Sequence, residues 1–159
     1  MFQGVMHTLL IEVQSQLPEM GAPQSNSGNE AACKGSVPLS PRTALVVDDS
    51  EAIRIIHSLH LRALGFQTRA VESGHEAVRL LESGMRFDVI LMDYYMPEIN
   101  GAEATGRIRE MGIQCVILGV STIDDDEENI RAKFVQSGLT EYFSMPLTRH
   151  MLIPYSTSV

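Results

Sequence analysis

The sequence predicts an α/β fold: a doubly wound five-stranded parallel sheet with helices on both faces and a short last helix. Three observations predict it. Short apolar runs alternate with segments of helical period. Most of those runs are almost unbroken, as expected of strands covered on both faces. Glycines and capping residues punctuate the boundaries. Right-handed crossovers in such a sheet set the C-terminal strand ends along one edge, and ligands bind outside that edge.

Ala44–Val47 reads as the first strand. Ser50–Leu64 carries Ile53, Ile56, His60, Ala63 and Leu64 at helical spacing, and Gly65 stops it. Phe66–Val71 is the second strand. Ser73 and Glu76 have capping-box spacing for a helix that stops at Gly84. Phe87–Met92 is the third strand, fully apolar after Asp88. Asn100 and Glu103 cap the next helix, which ends near Gly112. Cys115–Val120 is the fourth strand, Asp124–Gln136 a helix ended by Gly138, and Glu141–Ser144 a short fifth strand. From Leu147 onward a brief helix is expected, interrupted at Pro154.

The chain of 159 residues suits one domain of ordinary size. Residues 1–42 differ from the rest. Val5, Met6, Leu9, Leu10 and Val13 fit one face of a short helix, and Pro18 to Pro41 is too poor in apolar residues to build a core. We expect a disordered leader over 1–42 and the folded domain over 43–159. The net charge of −8 argues against nonspecific binding to nucleic acid or anionic membrane, which need a basic surface. No apolar stretch approaches the ~20 residues of a membrane span. Cys33 and Cys115 have neither metal-ligand nor disulfide-framework spacing, which fits a reducing compartment.

The chemistry sits at the strand ends. Asp48 and Asp49 follow the first strand, Asp93 the third, Ser121 the fourth, and Met145-Pro146 the fifth. Three carboxylates at one edge repel one another unless a cation neutralises them. Oxygen ligands alone suit a hard ion, and Mg²⁺ accepts few protein ligands with several waters. A carboxylate beside Mg²⁺ can accept a phosphoryl group. Ser121 can donate to a phosphoryl oxygen. His57 and His60, three apart, lack a third ligand at useful spacing and are expected at a surface or half-buried place.

Leu45-Val46-Val47-Asp48-Asp49, then Asp93-Tyr94-Tyr95-Met96-Pro97-Glu98-Ile99-Asn100-Gly101, then Gly119-Val120-Ser121-Thr122, resemble the receiver domain of two-component response regulators. The resemblance covers about Thr43 to Pro154. It implies a flavodoxin-like sheet of order 2-1-3-4-5. Arg109-Glu110-Met111 leading to Ile117–Ser121, with Met145-Pro146-Leu147-Thr148, further resemble plant type-C response regulators, which are receivers without an output domain.

The resemblance implies roles. Asp93 accepts a phosphoryl group from a histidine phosphotransfer protein, or from a hybrid histidine kinase. Asp48, Asp49 and Asp93 hold Mg²⁺ together with the backbone carbonyl of Tyr95. Ser121 binds the phosphoryl group, and Tyr142 is an aromatic switch. A monomer in the cytoplasm, with the nucleus as a second compartment, and a place in cytokinin signalling also follow from the resemblance.

The family's lysine falls on Met145, and that is a departure. A thioether carries no charge to face phosphoryl oxygens. Losing one electrostatic stabiliser costs on the order of 10²–10³ in rate. The expected result is a slow acceptor: a phosphate sink, or at most a slow phosphohistidine phosphatase. The competing expectation is a degenerate receiver that binds phosphotransfer proteins or kinases without accepting phosphate. A haloacid-dehalogenase-type phosphatase would want an Asp where Tyr95 stands. A flavin role would want a Ser/Thr/Gly-rich phosphate loop after the first strand. Tyr95 and Ile123, each two residues beyond a site residue, are bulky and are expected to slow hydrolysis of an acyl phosphate.

Overall fold

The computed structural model describes residues 41–122 and 126–156. The leader helix face at Val5–Val13, Cys33, Ile123 and the start of the helix expected at Asp124 lie outside the described residues.

The elements alternate as the sequence predicts. They run β1 (Thr43–Val47), α1 (Glu51–Ala63), β2 (Gln67–Val71), α2 (Gly74–Glu82), β3 (Val89–Asp93), α3 (Gly101–Glu110), β4 (Val116–Ser121), α4 (Glu127–Gln136), β5 (Glu141–Ser144) and α5 (Arg149–Leu152). A 3₁₀ turn over Ile153–Tyr155 carries the chain through Pro154. All strand pairs are parallel, and the sheet order is β2-β1-β3-β4-β5. This is the flavodoxin-like topology.

Side-chain alternation along the central strands splits the interior into two cores. Leu45, Val47, Ile90, Met92 and Ile117 face one side with Ala77, Leu81, Ile108, Ile130 and Phe134 from α2, α3 and α4. Ala44, Val46, Leu91, Leu118 and Val120 face the other, with Leu61 from α1 and Leu152 from α5. The strands β1, β3 and β4 are buried almost throughout. The two edge strands depart from the buried pattern: four of the five residues of β2 and all four of β5 are not buried.

Local chemistry sets the helix ends. Asn100 and Glu103 form a complete capping box at α3. Ser73 caps α2 by accepting from the Glu76 N–H, but the Glu76 carboxylate accepts from Glu72 rather than from Ser73. Gly65, at φ +88°, takes the left-handed conformation that ends α1. The short last helix is secured by contacts beyond its own turn. Tyr155 packs edge-on against Phe143, its hydroxyl donates to the Glu141 carboxylate, and its carbonyl accepts from Arg42 at 2.6 Å.

The helix α1 buries most of the face expected from its apolar residues, Ile56 and His60 fully and Ile53 and Leu64 in part, but that face is broader than expected. Ile56, His57, Ser58, His60 and Leu61 point inward, whereas Ala63 is exposed. His57 and His60 are therefore buried, at 2% and 5% exposure, not at the surface. Burial, and secondarily the neighbouring His60, push His57 down to about 3. It is a neutral core imidazole.

Candidate functional site

The C-terminal ends of β1 and β3 bring three acids together. Asp48 and Asp49 stand where β1 breaks toward α1, and Asp93 is the last residue of β3. One carboxylate oxygen from each lies within 4.8 Å of the others, the one potential metal cluster among the described residues. Asp48 is buried, Asp93 half-buried and Asp49 exposed, so the cluster opens toward solvent on one side.

The backbone holds this arrangement. The Ser50 N–H donates to Asp48 Oδ1 at 2.8 Å, and the Asp48 N–H donates to the Val71 carbonyl at 3.3 Å. Beyond Asp93 the Tyr94 N–H donates to Val120 and the Tyr94 carbonyl accepts from Gly101, both at 3.0 Å. Gly101 itself passes so close that a Cβ there would stand 2.1 Å from the Asp93 carbonyl oxygen. The Asn-Gly turn thus lets α3 start directly over the acceptor strand.

The electrostatics are those of buried, mutually repelling carboxylates. Burial raises Asp93 to about 8, reinforced by Asp48 and Asp49 and opposed by N–H donors of Tyr94 and Tyr95. Burial likewise raises Asp48 to about 6. The Ser50 N–H lowers it, Asp49 raises it and Arg54 lowers it. Such a site takes up either protons or a cation. Three oxygen donors, one side open for waters, fit Mg²⁺.

Among the described residues, the strand ends of β4 and β5 carry a hydroxyl and a thioether at the corresponding place. Ser121 ends β4, fully buried, and its hydroxyl makes only a long 3.4 Å contact with the Thr122 carbonyl. Ser121 is in register with Ser144, and the Met145 N–H donates to its carbonyl at 2.8 Å. Met145 therefore sits beside Ser121 in the chain path. Its side chain is 9% exposed and belongs to the second core, with Val120, Leu147 and Leu152. Tyr142 packs against the first core, its ring 6.2 Å from Phe134. Tyr95 is 46% exposed at the rim and meets Tyr94 edge-on.

Two features escaped the sequence reading. Arg54 Nη1 donates to the carbonyls of both Asp48, at 2.8 Å, and Asp49, at 3.0 Å. A basic residue in the first turns of a helix reads as a solvated side chain, so only its spacing from the acid pair could have signalled it. Glu98, at φ +70°, lies in the loop after Asp93 and approaches His75 Nδ1 at 3.0 Å.

Residues 44–155 match the response regulator receiver domain family. The chain belongs to that family. It is 44% identical over 114 residues to Two-component response regulator 24 of Arabidopsis thaliana, covering 72% of this chain and 81% of the relative. It is 34% identical over 134 residues to Two-component response regulator ARR22 of the same plant, covering 84% and 94%. Among solved structures it resembles the receiver domain of the sensor histidine kinase PA1611 from Pseudomonas aeruginosa PAO1. That likeness has a TM-score of 0.63 at 29% identity, covering 74% of this chain and 95% of the other. The PA1611 structure has a magnesium ion coordinated in its active-site cleft. In this receiver the acid cluster occupies the C-terminal sheet edge, and no helix among the described residues is long and apolar enough to cross a membrane.

Proposed function

We propose that this chain works as a stand-alone receiver in a His-to-Asp phosphorelay, accepting a phosphoryl group on Asp93 from a histidine phosphotransfer protein. The Asp48–Asp49–Asp93 cluster carries the reading. The Asp93 carboxylate oxygen attacks phosphorus. The P–O bond forms as the P–N bond of the phosphohistidine breaks, and the imidazole nitrogen leaves with the electron pair. Asp48, Asp49 and Asp93, with the Tyr95 carbonyl, would hold Mg²⁺, which when bound neutralises charge on the acids and on the phosphoryl oxygens. The Ser121 hydroxyl turns from its long contact with Thr122 to donate to a phosphoryl oxygen.

With Met145 in the apolar core, the phosphoryl group meets no cation from β5. Transfer is therefore slow, the Tyr142 switch is weakly driven, and the acyl phosphate behaves as a sink. The docking surface for the donor is the site rim with α1, where Ile55 is 55% and Leu59 43% exposed. Working as a monomer in the cytoplasm fits this role.

The second reading is a binding module that engages a phosphotransfer protein or kinase without accepting phosphate. The core placement of Met145 favours it. Transfer of labelled phosphate from a phosphotransfer protein separates the two. Wild type is expected to gain label slowly and Asp93→Asn not at all. Equal labelling of both would remove Asp93 as acceptor, and no labelling of wild type would favour the binding module.

A further inference from the structure

Arg54 lies at the fourth position of α1 after its cap, Ser50, and its own N–H donates to the Ser50 carbonyl at 3.0 Å. A cation there opposes the helix dipole, whose N-terminal end is positive. The dipole therefore gives no reason for an arginine at this place. Its contacts do. A single guanidinium nitrogen, Nη1, donates to the carbonyls of two consecutive residues, Asp48 and Asp49. Those carbonyls stand where the chain leaves β1 and before α1 begins, so neither the sheet ladder nor the helix claims them. Charge-assisted hydrogen bonds of this kind are about twice as strong as neutral ones.

We propose that Arg54 is the positioning residue of the acid pair: its guanidinium fixes the Asp48–Asp49 backbone so that both carboxylates are presented to Mg²⁺ together with Asp93. The inference rests on the Mg²⁺ site proposed above. It extends that site to a residue in the turn behind the ligands. Partners that orient metal ligands are commonly worth about 10- to 100-fold in metal affinity. Arg54 also lines a groove with Ile55, Ser58 and Leu59, on the face proposed to receive the donor. The same side chain therefore connects the docking helix to the acids.

The test is Mg²⁺ titration of the full chain by calorimetry, at a temperature where circular dichroism shows every variant folded. Arg54→Ala is expected to weaken Mg²⁺ binding by about 10-fold or more. Arg54→Lys keeps a charged donor and is expected to restore much of that loss. Arg62→Ala removes an arginine from the same helix, one that donates to Thr68 Oγ1 at 2.7 Å, and is expected to leave Mg²⁺ affinity unchanged. A second readout needs no metal: amide exchange of Ser50, whose N–H is bonded to Asp48 Oδ1, is expected to quicken in Arg54→Ala. Wild-type affinity in Arg54→Ala, or equal losses in Arg54→Ala and Arg62→Ala, would overturn the positioning role. If Arg54→Ala does not fold, Arg54→Lys carries the test, and a loss there as large as that of Asp49→Ala would overturn it. Absence of Mg²⁺ binding by wild type would overturn the metal site itself, and the inference with it.

Discussion

The β1–β3 half of the site edge carries three carboxylates within 4.8 Å of one another, while the β4–β5 half offers a buried hydroxyl and a thioether. Both halves rest on the same parallel ladder, with Asp93 in register with Val120 and Ser121 with Ser144. Their backbones are equally well placed. The difference lies in where the side chains spend their free energy. Burial, reinforced by the repulsion among the acids, raises Asp48 and Asp93 well above the usual carboxylate range. Met145 instead joins Leu147 and Leu152 in the second core and contributes packing. On the reading proposed above, holding a cation and responding to a phosphoryl group are separable tasks. The acid half suits the first, and Met145 leaves the other half without a cation for the second.

Restoring that charge breaks the comparison most directly. Met145→Lys places an ammonium beside the end of β4, where the backbone already ties residue 145 to Ser121. The rate of Asp93 phosphorylation by a small phosphoryl donor with Mg²⁺ is expected to rise on the order of 10²–10³. Intact-mass measurement over time gives the rate. A variant no faster than wild type would show that the β5 half is not what limits the site.

Metal and pH sharpen the comparison next. In the metal-free protein Asp48 and Asp93 titrate near 6 and 8, against 3.8 in an unfolded chain. Between about pH 4 and 8 the folded state therefore binds more protons than the unfolded state. Their contribution to stability is present at low pH and is lost as pH rises through that window, by up to about 1.4 kcal/mol per pH unit for each group. His57 works in the opposite sense. Its folded value near 3 lies below 6.5, so the fold loses stability as pH falls through that interval. On the proposed reading, Mg²⁺ would take the place of the site protons. The rise in Tm on adding Mg²⁺ is expected to be larger at pH 8.5 than at pH 5.5, and to shrink in Asp49→Asn. A Tm shift independent of pH would mean that the ion binds away from these acids.

The acid half was legible in the sequence because its signal is local. Asp48-Asp49 after Leu45-Val46-Val47, and Asp93 after an apolar run, place carboxylates at strand ends whatever the strand order. The Asn100–Glu103 capping box was legible for the same reason, since its partners lie within one turn. Other features depend on neighbours that no local pattern names. The exposure of β2 follows from its place at the sheet edge. The burial of His57 follows from how broadly α1 is covered, with Ile56, His57, Ser58, His60 and Leu61 all buried. The carbonyl contacts of Arg54 are invisible until the β1–α1 turn is folded. The place of Met145 in the second core was not legible, because Leu147 and Leu152 meet it only in the folded chain.

The smallest expected effect concerns the lifetime of the phosphoryl group. Tyr95, two residues beyond Asp93, is half-exposed and meets Tyr94 edge-on at 5.1 Å between ring centroids. On the reading proposed above, bulk two residues beyond the acceptor hinders the attacking water, whereas an amide is smaller and can hold water in reach. Tyr95→Asn is therefore expected to speed loss of the acyl phosphate, by about tenfold if shielding amounts to ~1.4 kcal/mol of barrier. The decay is followed by intact mass after the donor is removed. An unchanged lifetime would mean that the rim residue does not gate the water, and that the slow turnover proposed here comes from the β4–β5 half alone.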